Sequence, residues 1–162
     1  IYWAALGKTG SVLKGKTQLG TLAGRRMDAV GMADKIMLAW IAPDWVAVNY
    51  NFLTVSGSGT TSINLTPGTT QNLYLKNSNL VEYLSLLSDQ DNNGILTWRN
   101  MDRSQMYYAL VNSNGDLRTP ALMFFEDPGS SLKLSRTGQG STIYVGTYKL
   151  SAPLVFNYFT PK

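Results

Sequence analysis

A threefold aromatic echo limits what this chain can fold into. Trp40, Trp98 and Tyr148 are each followed ten residues later by another aromatic, Tyr50, Tyr108 and Tyr158. Trp3 belongs to the second set. A glycine follows Trp3, Tyr50 and Tyr108 after seven residues, at Gly10, Gly57 and Gly115. The second set recurs about every fifty residues, the interval of a repeat architecture whose units bury their apolar faces only against neighbours.

Between the aromatics the chain reads as short strands. Candidates are Ile1–Leu6, Val12–Leu19, Lys35–Ile41, Trp45–Leu53, Ser62–Thr66, Gly94–Arg99, Met106–Val111, Ala121–Phe125, Leu132–Ser135, Thr142–Tyr148 and Leu154–Phe159. Breakers separate them. Asn114-Gly115 supplies the positive φ pair of a type I′ hairpin turn. Thr66-Pro67-Gly68, Asp127-Pro128-Gly129 and Gly138-Gln139-Gly140 are further turns. Ser56-Gly57-Ser58-Gly59 reads as an enlarged hairpin loop. Only Leu80–Ser88, with leucines at 80, 84 and 87, matches a helical period, and a strand fits it equally well.

The expected fold is therefore all-β: one domain over 1–162, built of tandem four-stranded antiparallel repeats of β-propeller type. The repeats fall at roughly 1–47, 48–105 and 106–155, with a final strand at 154–159 in the role of Ile1–Leu6. A β-trefoil, or a sandwich or jelly roll, stays open as the alternative. Three repeats cannot close a propeller, which typically needs four blades or more. Their unpaired edges would favour self-association or membership of a longer repeat chain.

Composition removes whole classes of chemistry. The chain has neither Cys nor His, so disulfide scaffolds, thiolate or imidazole metal sites and His-dependent triads are excluded. The acidic residues include only two glutamates, Glu82 and Glu126. Neither stands in a motif for paired-carboxylate catalysis. No glycine-rich phosphate loop or nucleophile elbow is present, and the chain reads as a non-enzyme. The net charge of +4 lacks the dense basic stripe of a nucleic-acid binder. Lys8, Lys14, Lys16, Arg25, Arg26 and Lys35 concentrate early, as a solvated basic face or an attraction to an anionic polymer or membrane surface. No apolar run is long enough for membrane insertion by a helix. The chain begins at Ile1, as a piece of a longer protein or one whose leader has been removed would.

The segment Gly94-Ile95-Leu96-Thr97-Trp98, then Met106-Tyr107-Tyr108-Ala109-Leu110, then Asn114-Gly115-Asp116-Leu117-Arg118-Thr119-Pro120 resembles the repeating unit of long, secreted, propeller-like bacterial surface proteins. The resemblance covers about thirty residues and returns in weaker form at Ile1–Leu6 and Val155–Phe159. It implies a propeller-like architecture and an extracellular or cell-surface setting, and is silent on function. Ser88 to Trp98 also loosely resembles the Asp-box hairpin of sialidase-type propellers, with stretched spacing; that resemblance bears on fold alone.

Two kinds of site follow from the residues. Trp40 and Trp98 are each followed four residues later by an aspartate, Asp44 and Asp102, with Arg103 beside the second. An indole that packs on a sugar's C–H face, next to a carboxylate that accepts from its hydroxyls, is carbohydrate-site chemistry. Two such positions would add avidity for a glycan or cell-surface polymer. The third repeat has Tyr148 and Ala152 instead. The competing reading makes both indoles inter-sheet core and both aspartates turn caps. Asp89, Asp91 and Asn93, followed by Gly94, fit the first half of a calcium loop. They fit equally an Asp/Asn-rich turn that caps its own backbone. Two functions are thus expected: a non-catalytic extracellular binding module for carbohydrate recognition or adhesion, needing exposed indoles, or a structural subunit of a surface layer, sheath, filament or capsid.

Overall fold

The computed structural model describes residues 1–20, 22–32, 34–57, 63–74, 80–89, 91–102, 105–126, 131–136, 143–148 and 155–159, with side chains as far as Met123 apart from Tyr74. The described residues contain strands and turns and no helix. The all-β expectation holds. Every strand pair is antiparallel.

Four sheets follow one another along the chain. The first is the hairpin β1 (Tyr2–Leu6) and β2 (Val12–Gln18). The second is a meander of β3 (Arg25–Met32), β4 (Lys35–Ile41) and β5 (Ala47–Ser56). The far edge of β5 is shared by β6 (Asn64–Pro67) and β7 (Gln71–Tyr74), one on each half. The third sheet is the meander β8 (Val81–Ser88), β9 (Gly94–Asn100), β10 (Gln105–Val111) and β11 (Leu117–Glu126). The fourth is β12 (Ser131–Arg136), β13 (Ile143–Tyr148) and β14 (Val155–Phe159).

Strand period explains the layers. Along β4, Met37, Ala39 and Ile41 join one buried cluster, while Leu38 and Trp40 join another with Ile36 against it. Both faces are apolar because a sheet lies on each side. The first cluster also holds Val48 and Tyr50 of β5, Leu84 and Leu86 of β8, Leu96 and Trp98 of β9, and Ala109 and Val111 of β10. It is the seam between the second and third sheets. The other joins Trp40, Leu38 and Leu53 to Trp3, Ile1, Leu19 and Leu22, and seams the first sheet to the second. Ile95, Tyr108 and Leu110 are buried with Leu87 on the remaining face of the third sheet.

These seams give the aromatic echo its cause. In the second sheet Trp40 sits opposite Asn49, nine residues on, and in the third Trp98 sits opposite Tyr107, again nine on. The equal registers send both indoles toward the preceding sheet, Tyr50 toward the following one, and Tyr108 to the opposite face of the third sheet from Trp98. Each seam therefore joins one aromatic of each kind: Trp3 with Trp40, then Tyr50 with Trp98. The glycines seven residues later turn the chain into the next strand, with φ of 83°, 87° and 95° at Gly10, Gly57 and Gly115. β1, β5 and β10 thus occupy the same place in their sheets, each followed by its turn.

Several expectations are corrected. Tyr148 is not the third member of the tryptophan set: Tyr158 lies opposite Tyr144, and Tyr148 pairs with Ser131. Leu80–Ser88 is not helical. Leu84 and Leu86 alternate into the seam as strand residues, and Val81 is offset from them by a register shift. Segments 25–32 and 71–74, absent from the sequence reading, are strands. The hairpin at Asn112 is not type I′. Gly115 donates to the Asn112 carbonyl and Asn112 to that of Asp116, with Gly115 alone left-handed, a type I turn closed by a bulge residue. The cuts after residues 47 and 105 fall inside β5 and at the start of β10, out of phase with the sheets. Asp127-Pro128-Gly129, Gly138-Gln139-Gly140 and Ala152 lie outside the described residues.

Candidate functional site

Both indoles of the expected sugar site are core. Trp40 is 2% exposed and Trp98 1%. Trp40 is walled in by Gly24, where any Cβ would collide with the indole and approach the Ile41 carbonyl at 2.7 Å. Its ring nitrogen is buried with no hydrogen-bond partner. Trp98 stacks on its cross-strand neighbour Tyr107, centroids 5.9 Å apart and planes within 13°. Neither ring presents a face that a sugar can reach, so the Trp40/Asp44 and Trp98/Asp102 pairs do not form the expected platforms.

The aspartates stand apart from the rings on exposed turns. Asp44 lies in the β4–β5 turn, where its Oδ1 accepts from the Val46 amide at 3.3 Å. Trp45 closes that turn in the left-handed conformation, with φ 66°, beneath the Arg25 guanidinium at 4.8 Å. Asp102 is exposed in the β9–β10 turn. That turn is held by buried Asn100, whose Oδ1 accepts from the Gln105 amide at 2.9 Å. Arg103 lies outside the described residues.

The calcium candidate is a turn that caps itself. Asp89 Oδ1 accepts from the amides of Asp91 and Asn93, at 2.9 and 2.8 Å. Its Oδ2 accepts from Asn93 Nδ2 at 2.7 Å. Asp89 and Asn93 thus satisfy each other. The β10–β11 turn repeats the device: Asn112 Oδ1 accepts from the amides of Asn114 and Asp116, and its amide donates to Asp116. The Asp-rich spacing is turn chemistry. Among the described residues no group of three or more acidic ligands is placed to hold a metal ion.

Polar side chains outside the expected sites tie down the second and third sheets; Arg99, which the sequence offers as an exposed partner of Asp102, is instead buried. Asp28 of β3 accepts from the Leu86 amide at 2.9 Å and the Ser85 hydroxyl at 3.4 Å. A carboxylate here satisfies a backbone donor on the open edge of β8. Beside it, Arg99 bridges Glu82 at 3.0 Å, with its side chain 5% exposed. Burial raises the Tyr83 phenol above its ordinary pKa, against the lowering effect of its Ser85 hydrogen bond. Across the seam, Tyr50 donates to the Gly115 carbonyl at 3.1 Å and Lys35 Nζ to that of Ser113 at 3.2 Å. Burial, and then the Asp116 charge, raises the Tyr50 phenol. Asp28, Tyr50 and Lys35 thus join the two sheets, while Arg99 and Glu82 pair within the third.

Among the described residues, apolar side chains are exposed on β11 at Leu117, Leu122 and Met123 and, more strongly, on the outer face of the first sheet. Tyr2 is 58% exposed, Leu6 63% and Val12 68%. Leu6 and Val12 are cross-strand partners, and Lys16 Nζ sits 4.4 Å over the Tyr2 ring. The alternation was available in Tyr2-Trp3-Ala4-Ala5-Leu6. Nothing in it told which parity would meet the second sheet. No family model matches this chain, and no curated protein or solved structure is significantly similar to it.

Proposed function

We propose that this chain is a non-catalytic structural module of an extracellular assembly, associating through the incomplete first sheet. One observation carries the reading: β1 and β2 form a two-stranded sheet with an apolar outer face at Tyr2, Leu6 and Val12. Among the described residues, β5 and β10, its counterparts, have hydrogen-bonded neighbours on both edges, and β1 pairs with β2 alone. A two-stranded sheet has little independent stability. An open edge beside exposed apolar surface is a site for association.

The finer architecture follows. Separate meanders, hydrogen-bonded within themselves and stacked face to face, fit propeller-type blades better than a trefoil barrel. The carbohydrate reading drops back because its two indoles are buried in the seams.

Sedimentation velocity of the purified chain over a wide concentration range tests the proposal. Assembly is expected to grow with concentration and to be insensitive to free sugars. A monomer at every concentration would overturn the structural reading. A monomer that shifts on addition of a glycan would restore the binding module.

A further inference from the structure

We infer that Asn114 is a self-modifying site, whose side chain cyclises onto the Gly115 amide and opens to aspartate or isoaspartate, and that its turn carries the change into the contact between the second and third sheets. Water is the only co-reactant.

The chain has two Asn-Gly steps, Asn93-Gly94 and Asn114-Gly115. At such a step the glycine amide nitrogen can attack the asparagine Cγ, because no Cβ shields it. The new N–Cγ bond closes a cyclic imide. The side-chain nitrogen leaves as ammonia and takes the proton of the attacking amide. Water then opens the imide. Cleavage of the new N–Cγ bond gives aspartate. Cleavage of the original peptide bond gives isoaspartate, whose main chain runs through Cβ and Cγ and is one atom longer. The sum is amide plus water to carboxyl plus ammonia, with no change of oxidation state.

The fold treats the two steps differently. Asn93 donates from Nδ2 to Asp89 Oδ2 at 2.7 Å and from its backbone amide to Asp89 Oδ1 at 2.8 Å. Gly94 is buried in β9, paired with Ser88 and Val111, and the Met37 side chain fills the place of its Cβ. An imide has no room there. Asn114 is exposed at the tip of the β10–β11 turn. Its backbone amide is held by Asn112 Oδ1 at 2.9 Å, and its side chain makes no hydrogen bond among the described residues. Attack must open the bond from the Gly115 amide to the Asn112 carbonyl, 3.0 Å long, in a turn at the surface.

That turn is also where the third sheet meets the second. Lys35 Nζ donates to the Ser113 carbonyl at 3.2 Å, and the Tyr50 hydroxyl to the Gly115 carbonyl at 3.1 Å. The Phe52 ring lies 3.6 Å from the place of a Gly115 Cβ. The two accepting carbonyls flank Asn114, and an added backbone atom between them cannot leave both in place.

The full chain is aged in warm, mildly alkaline buffer, folded and in guanidinium chloride, and peptide mapping follows both steps. Each folded rate is divided by the denatured rate of the same step. Folding should slow Asn93 several-fold more than Asn114. Equal slowing at the two steps, or a folded Asn114 that stays unreacted while the denatured chain converts, would overturn the inference. The isoaspartyl form, separated by chromatography, should unfold at a lower urea concentration than fresh chain. An unchanged midpoint would break the link to the sheet contact. Asn114→Ser cannot cyclise and should hold its midpoint through the same ageing. A fall as large as that of the wild type would assign the loss to another residue and sink the proposal.

Discussion

At the scale of single residues, the seams turn apparent ligand positions into structural ones. Trp98 is enclosed between two sheets and stacked on Tyr107. Trp98→Ala should cost about 3–5 kcal/mol in chemical denaturation, the range for emptying a large core site; a folded variant of unchanged stability would return Trp98 to the surface. Gly24→Ala probes the same packing from the other side. Its methyl would strike the rigid indole of Trp40 and the Ile41 carbonyl. A loss of about 1–3 kcal/mol is expected. The tyrosines supply a pH signature. Tyr50 and Tyr83 have phenols raised above their ordinary pKa by burial. The folded chain therefore holds protons that the unfolded chain has released. This contribution is complete below the unfolded value of about 10 and is lost as pH rises through the folded values. Urea midpoints should fall above about pH 10, and less steeply in Tyr50→Phe and Tyr83→Phe.

At the scale of elements, turns with one left-handed closing residue recur at Gly10, Trp45, Asn92 and Gly115. Three of the four follow one hydrogen-bond plan, in which the first residue donates to the carbonyl of the fifth: Gly7 to Ser11, Asp89 to Asn93 and Asn112 to Asp116. The existence of a turn at Asn112–Gly115 was legible, because Asn and Gly tolerate positive φ. Its type was not, because one or two left-handed residues fit the same letters. The Asp89 turn follows the same logic. Carboxylate oxygens that already accept from Asp91, Asn93 and the Asn93 amide are poorly disposed to bind an ion. Millimolar calcium should leave the melting temperature unchanged, whereas a rise of several degrees that Asp89→Asn abolishes would restore the calcium reading. Buried Asn51 makes the break between β6 and β7. It donates to the Gly68 carbonyl and the Thr70 hydroxyl, and accepts from the Gly68 amide. That junction was read as a turn at Thr66-Pro67-Gly68, but the strand beyond it, Gln71–Tyr74, has no apolar alternation to announce it.

At the scale of the whole molecule, the sheets differ in how many neighbours they have. β4 and β5 are covered on both faces, while β1 and β2 are covered on one. Amide exchange should therefore be slowest in β4, β5, β9 and β10, and fastest in β1 and β2 at concentrations where the chain is monomeric. Uniform protection across all four sheets would mean that the first is no looser than the others. Assembly is expected to slow exchange in β1 and β2 selectively.

The amino-acid order by itself determined the all-β class, most strand positions and the recurrence of aromatics and turn glycines. Each of these depends on local chemistry: period-two apolarity, positive φ, and the absence of Cys and His. Tertiary structure alone decided what the recurrence is for. An indole at one end of a strand has the same local sequence whether its outer face meets water, a sugar or another sheet. The register of β4 on β5 and of β9 on β10 sends Trp40 and Trp98 back against the preceding sheet. The same stacking leaves the outer face of β1 and β2 exposed, because burial depends on which sheet lies opposite, a non-local fact that no window of sequence contains.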